Sequence, residues 1–154
     1  MERKRKSSDP QNFKEMPHSD DAEMVVLAGI LNNNRLLDTV NEVVVAEDFY
    51  CLRNQHIFRI MNGLYSAGSV VDMITVKSKA AEQDVSVDAA YLAKIGDYLS
   101  YTGIESHCKI IKEKSLLRKV ITASQNTIQQ AYDGPGDMDD FIQSSMSPGP
   151  SYAC

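Results

Sequence analysis

No proline or glycine interrupts the chain between Gly103 and Gly134, and that run constrains the fold more than any other feature. Proline would remove a helical hydrogen bond and glycine would weaken a helix, so a stretch this long without either reads as one helix. Thr102 and Glu105 stand at capping-box spacing at its start. At 1.5 Å per residue, about 30 residues extend roughly 45 Å, further than a small globular core covers. Part of the helix is therefore expected to project. Ile110, Leu117, Ile121, Ile128 and Ala131 fall on one side of it, while Lys112, Lys114, Arg118 and Lys119 occupy much of the rest. Gly134-Pro135-Gly136 then signals a turn, and Met138, Phe141 and Ile142 begin another helical face. The pattern predicts a helical hairpin over 102–146. A projecting hairpin has too little local core to hide its stripe, so Ile110, Leu117, Ile121, Ile128, Phe141 and Ile142 are the candidate interface residues.

Upstream, the signals are those of several short helices. Asp20 with Glu23 three residues later has capping-box spacing, and the helix it opens carries Val26, Leu27, Ile30 and Leu31 inward until Asn32-Asn33-Asn34 stops it. Leu36, Leu37, Val40, Val43 and Val44 form a second apolar face, read as helix although three consecutive valines favour a strand. Glu47-Asp48 place acidic groups at the approach to a third helix, and Phe49 and Tyr50 offer two rings for the core. Along that helix His56-Ile57-Phe58, Met61 and Leu64-Tyr65 recur at three- and four-residue steps, and Gly68 ends it. Asp72 caps a fourth helix over 73–83, and Asp88 a fifth carrying Tyr91, Leu92 and Ile95. The expectation is an all-α fold: a flexible leader over 1–16, a small globular helical bundle over 17–101, the hairpin, and a flexible tail over 147–154.

Composition narrows the function classes. A chain of 154 residues with 43% hydrophobic residues buries a real core and makes about one domain. No apolar run approaches the roughly 20 residues that cross a bilayer, so a soluble, cytoplasmic protein is expected. Cys51, Cys108 and Cys154 form an odd set without CxxC spacing, which suggests neither a disulfide framework nor structural zinc. The net charge is −5, and because residues 1–6 carry four positive charges against one negative, residues 7–154 carry −8. An acidic body repels phosphate backbones, so nucleic-acid binding by this chain alone is expected to be weak or absent.

The search for catalytic chemistry yields no candidate residue. Gly63-Leu64-Tyr65-Ser66-Ala67-Gly68-Ser69 has the glycine spacing of a phosphate loop but lacks its lysine and follows a helix rather than a strand. His107-Cys108 are adjacent, and Cys51 with His56 has no second ligand pair at metal spacing. Asp133, Asp137, Asp139 and Asp140 lack the calcium-loop pattern and read as helix caps. No catalytic, cofactor-binding or metal residue is predicted.

Read together, Pro17-His18-Ser19, Ala22-Glu23, Val26-Leu27, the run from Asp48-Phe49-Tyr50 through His56-Ile57-Phe58 to Asp72 and Thr75, Tyr91-Leu92, and Ile110 to Lys114 with Leu117-Arg118 follow one another in an order that resembles the amino-terminal domain of DnaB-type replicative DNA helicases. The resemblance runs from about Pro17 to about Ile142. It implies that Leu27, Phe49, Tyr50, His56, Ile57, Phe58, Asp72 and Thr75 form the family's structural core. It further implies a collar domain whose hairpins pair subunits into dimers, three dimers to a ring, which receives primase, with a helicase loader as a further candidate partner. The RecA-like motor that binds ATP and Mg²⁺ is a separate domain in that family and is not in this sequence. Two other classes stay open: a standalone adaptor or decoy, phage-borne in one version of this reading, that binds replisome proteins with the same fold, and a helical DNA-binding domain.

Overall fold

The computed structural model describes residues 14–134 and 136–146. The expected tail, most of the expected leader and Pro135 of the turn lie outside the described residues. Those described are helical and contain no strand: α1 Asp20–Asn32, α2 Leu36–Val43, a 3-10 turn Ala46–Asp48, α3 Leu52–Ser66, α4 Met73–Glu82, α5 Ala89–Gly96, α6 Ile104–Asp133 and α7 Met138–Met146. They divide into two compact units, the first ending at Ser115 and the second beginning at Leu116. The border expected at Tyr101 thus moves into α6.

In the first unit α1 is the central element, packed on α2, α3 and α5. Residues 22–28 and Ile30 are all buried, because its sequence is apolar around most of its circumference rather than along one stripe. Gly29 is half-buried, and a Cβ there would collide with the Ile104 side chain. The missing side chain lets α6 approach α1. Phe49 and Phe58 fill the space between the 3-10 turn and α3, with ring centroids 5.0 Å apart and both rings about 1% exposed. Each is worth about 1.5–3 kcal/mol of burial.

The caps are partly as expected. Asp72 accepts from the amides of Ile74 and Thr75, and Thr75 Oγ1 accepts from the Asp72 amide, which closes a capping box on α4. Asp88 caps α5 through the Tyr91 amide. On α1, however, the cap is Ser19, whose Oγ accepts from Ala22 N–H, and Glu23 serves another helix. Its buried carboxylate accepts from the amides of Tyr50 and Cys51 and from Asn54 Nδ2, so a residue of α1 supplies the missing cap of α3. Tyr91 extends the network by donating its hydroxyl to Asn54 Oδ1, and burial pushes that phenol's pKa upward. The stop after α1 is made by Asn34, which donates to the carbonyls of Ile30 and Val71 and accepts from Val71 N–H. The valine run ends α2 as its strand propensity warned, with Val44 and Val45 extended. Residue 103, the one preceding α6, is a glycine at φ +76°, so Thr102 stands one place too early to be its cap.

Two of the expected core positions lie at the surface. Tyr50 is 40% exposed and stacks on His18 at 4.2 Å. Tyr50 follows Phe49 at a bend in the chain, and only Phe49 enters the core. His56 is exposed. The buried residues of α3 are Asn54, Ile57, Phe58, Ile60 and Met61, and His56 lies about 40° beyond Ile60, at the edge of that arc. Leu27, Ile57 and Phe58 are buried, while Asp72 and Thr75 are half-buried capping residues rather than core.

Candidate protein–protein interface

The hairpin begins with a helix held firmly at its start. Ile104, Cys108, Ile111 and Ser115 recur at four, three and four residues and present one face to the bundle, with Cys108, Ile111 and Ser115 buried. Burial pushes the Cys108 thiol up to about 11, and the neighbouring Glu105 adds to the shift. His107 bonds instead to the Gly103 carbonyl, at 2.8 Å. The polar end of this face is the Asp48 carboxylate, which is 1% exposed. It accepts from Ser115 Oγ at 2.6 Å, Val45 N–H at 2.9 Å and Lys112 Nζ at 3.1 Å. Burial drives the Asp48 pKa up, but the donors from Ser115, Val45 and Lys112 outweigh it, so the carboxyl lies below its ordinary value. The acid seen in the sequence beside Phe49-Tyr50 is thus the anchor of α6, 64 to 67 residues further on.

The candidate interface residues occupy a different side of the same helix. Ile110 is one residue before buried Ile111, about 100° around the axis. Leu117, Ile121 and Ile128 follow Ile110 by 7, 11 and 18 residues, all within about 20° of it. Ile110, Leu117 and Ile128 are exposed, the last two by 49% and 56%, and Ile121 is half-buried. On α7, Phe141 is half-buried and Ile142 exposed. The turn before it is set by Gly134 at φ +80°, and Asp137 caps the helix through the Asp140 amide. Sequence reasoning missed Leu116 and Val120, which are also exposed. They lie about 120° and 80° around the axis from Ile110 and form a separate exposed apolar pair, whose spacing of four was the available signal.

The glycine segment offers no phosphate cradle. Gly63 lies inside α3, and the amides of Gly68 and Ser69 are bonded to the helix carbonyls of Tyr65 and Leu64. Among the described residues no group of three or more His, Cys, Asp or Glu side chains is arranged to hold a metal, and no helix is long and apolar enough to cross a membrane.

The family model described as DnaB-like helicase N terminal domain matches residues 15–113. The chain is 34% identical over 140 residues to the replicative DNA helicase DnaB of Buchnera aphidicola subsp. Baizongia pistaciae, covering 86% of this chain and 30% of that protein. It is 31% identical over 130 residues to the replicative DNA helicase DnaC of Bacillus subtilis, covering 82% and 29%. The chain therefore spans less than a third of the length of these curated relatives. Among solved structures, the N-terminal domain of DnaB helicase from Mycobacterium tuberculosis superposes with a TM-score of 0.78 at 24% identity, over 85% of this chain and 96% of that one. The N-terminal domain of DnaB helicase from Helicobacter pylori, whose structure was described together with its interactions with primase, gives 0.68 at 26% identity over 73% and 90%. On these matches the chain belongs to the DnaB-like helicase N-terminal domain family.

Proposed function

We propose that these residues form the assembly and docking domain of a replicative DNA helicase. The observation that carries this reading is the exposed apolar face of the hairpin in a domain of this family. In this reading hairpins pair subunits into dimers, three dimers close a ring, and the paired surface receives primase in the cytoplasm, with a helicase loader as a further candidate partner. ATP and Mg²⁺ belong to a motor elsewhere in the helicase, and the part described here contributes no catalytic group.

Sedimentation over a concentration series tests the pairing. Ile121→Glu is expected to weaken self-association by about a hundredfold or more, since an unpaired carboxylate in an apolar contact costs several kcal/mol. A wild type that is monomeric at every concentration, or a variant that associates as well as wild type, overturns the hairpin as the pairing surface. The partner assignment has its own check. In the complete helicase, Leu117→Asp should lower ring stability and primase binding together while ATP binding by the motor is retained. Primase binding that survives loss of residues 1–146 would remove docking from this domain's role.

A further inference from the structure

Charge is divided unevenly along the chain: residues 1–6 carry four positive charges against one negative, and residues 7–154 are acidic. Those six residues precede the described chain, which begins at Lys14 and is pinned just ahead of α1. His18 stacks on Tyr50 at 4.2 Å, and its ring nitrogens lie 2.7 Å from the Met16 carbonyl and 3.7 Å from the Asp20 carboxylate. The chain thus enters the bundle at the acidic first turn of α1. Beside that turn is a groove of about 370 Å³ bordered by α1 and α5, with Asp21, Lys94, Asp97, Tyr98 and Tyr101 in its lining.

The groove has the chemistry of an arginine site. Tyr98 and Tyr101 present two rings with centroids 5.6 Å apart, and Tyr101 is 57% exposed. Asp21 accepts from the Tyr98 hydroxyl through one oxygen, at 2.7 Å. The Asp97 carboxylate takes no hydrogen bond or ion pair among the described residues. Lys94 and Tyr98 also line the neighbouring cavity, which holds Asp20, so three carboxylates share this surface with the Lys94 ammonium. A guanidinium both stacks on aromatic faces and forks to carboxylates. We infer that the basic leader folds back onto this groove, with its arginines, Arg3 and Arg5, on the tyrosine pair and the Asp21 and Asp97 carboxylates. The tether allows it. Lys14 stands seven residues before Asp21, so no more than about 25 Å from it, and the nine residues from Lys14 back to Arg5 span up to about 30 Å. A tether this short holds the leader at an effective concentration in the mM range, so weak single contacts suffice. A basic segment of another protein would reach the groove only by displacing the leader. Nothing in this contact depends on the self-association proposed above.

Carbodiimide coupling on the full chain, which joins a lysine amine to a carboxylate where the two are in contact, tests the docking. Lys4 and Lys6 flank Arg5, and mass spectrometry should find them joined mainly to Asp20, Asp21 or Asp97. The yield is expected to fall about fivefold or more between about 0.01 M and about 1 M salt, as the screening length shrinks from about 30 Å to about 3 Å. Arg3→Gln combined with Arg5→Gln keeps both lysines and every residue of the bundle, and should lower the yield by about as much. In the amide NMR spectrum the same double variant should shift Asp97, Tyr98 and Tyr101. Bonds formed mainly to carboxylates elsewhere, a yield that neither salt nor the double variant changes, or groove amides that stay in place overturn the proposal. An equal mixture of isotopically heavy and light chains separates the two ways of reaching the groove. Bonds within one chain support the fold-back, and bonds mainly between heavy and light chains place the leader on a second copy and overturn it.

Discussion

Replacing Glu23 by alanine is expected to lower the thermal midpoint of the bundle by roughly 12–24 °C, the largest effect of any single polar substitution in the chain. Glu23 is 2% exposed, and its two oxygens satisfy the Tyr50 and Cys51 amides and the Asn54 side chain. Alanine strands all three donors at the entrance to α3 and leaves a void beside them. At about 1 kcal/mol or more for each unsatisfied donor, the loss comes to about 3 kcal/mol, a large share of the 5–15 kcal/mol typical of a domain. Glu23→Gln should fall between wild type and alanine, since one acceptor oxygen survives while an NH₂ now faces donors. Calorimetry at one fixed protein concentration separates this from any change in association. A loss under about 1 kcal/mol for Glu23→Ala would mean that water replaces the carboxylate and that the network is not a principal support of α3.

The second large effect concerns the anchor of α6. Asp48→Ala removes the acceptor for Ser115, Val45 N–H and Lys112, with an expected cost of about 2–3 kcal/mol. Lys112→Met should cost less than about 1 kcal/mol, because that ammonium is partly solvated. The pH dependence follows from the depressed Asp48 pKa. A carboxyl whose folded value lies below its unfolded value, near 3.9, contributes its full stability above the unfolded value and loses it as pH falls through the folded one. The difference between wild type and Asp48→Ala in urea unfolding should therefore be constant near neutrality and shrink only below about pH 4. Hydrogen exchange of the amides from Ile104 to Ser115 should quicken in the variant while the amides of α3 stay protected. A gap between the two proteins that persists unchanged into strong acid would show that the carboxylate charge contributes nothing to the anchor.

The secondary structure, the caps of α4 and α5, the apolar stripe and the order of family motifs were all readable in the sequence, because each is a local pattern whose period or spacing is set by the helix itself. Long-range packing decided the rest. Glu23 stands where a capping-box glutamate of α1 would, and only the arrival of the α3 entrance beside it makes it the cap of another helix. Asp48 reads as an acid near a helix start, yet the first turns of α6 fold over it, and this moves the border between the two units from Tyr101 to Ser115. Tyr50 and His56 are residue types at home in a core, but a bend in the chain at one and helical phase at the other turn them outward. Propensity and periodicity are properties of neighbours along the chain. Which buried donor meets which acceptor depends on groups 27 to 67 residues apart, whose meeting is set by the packing of the helices.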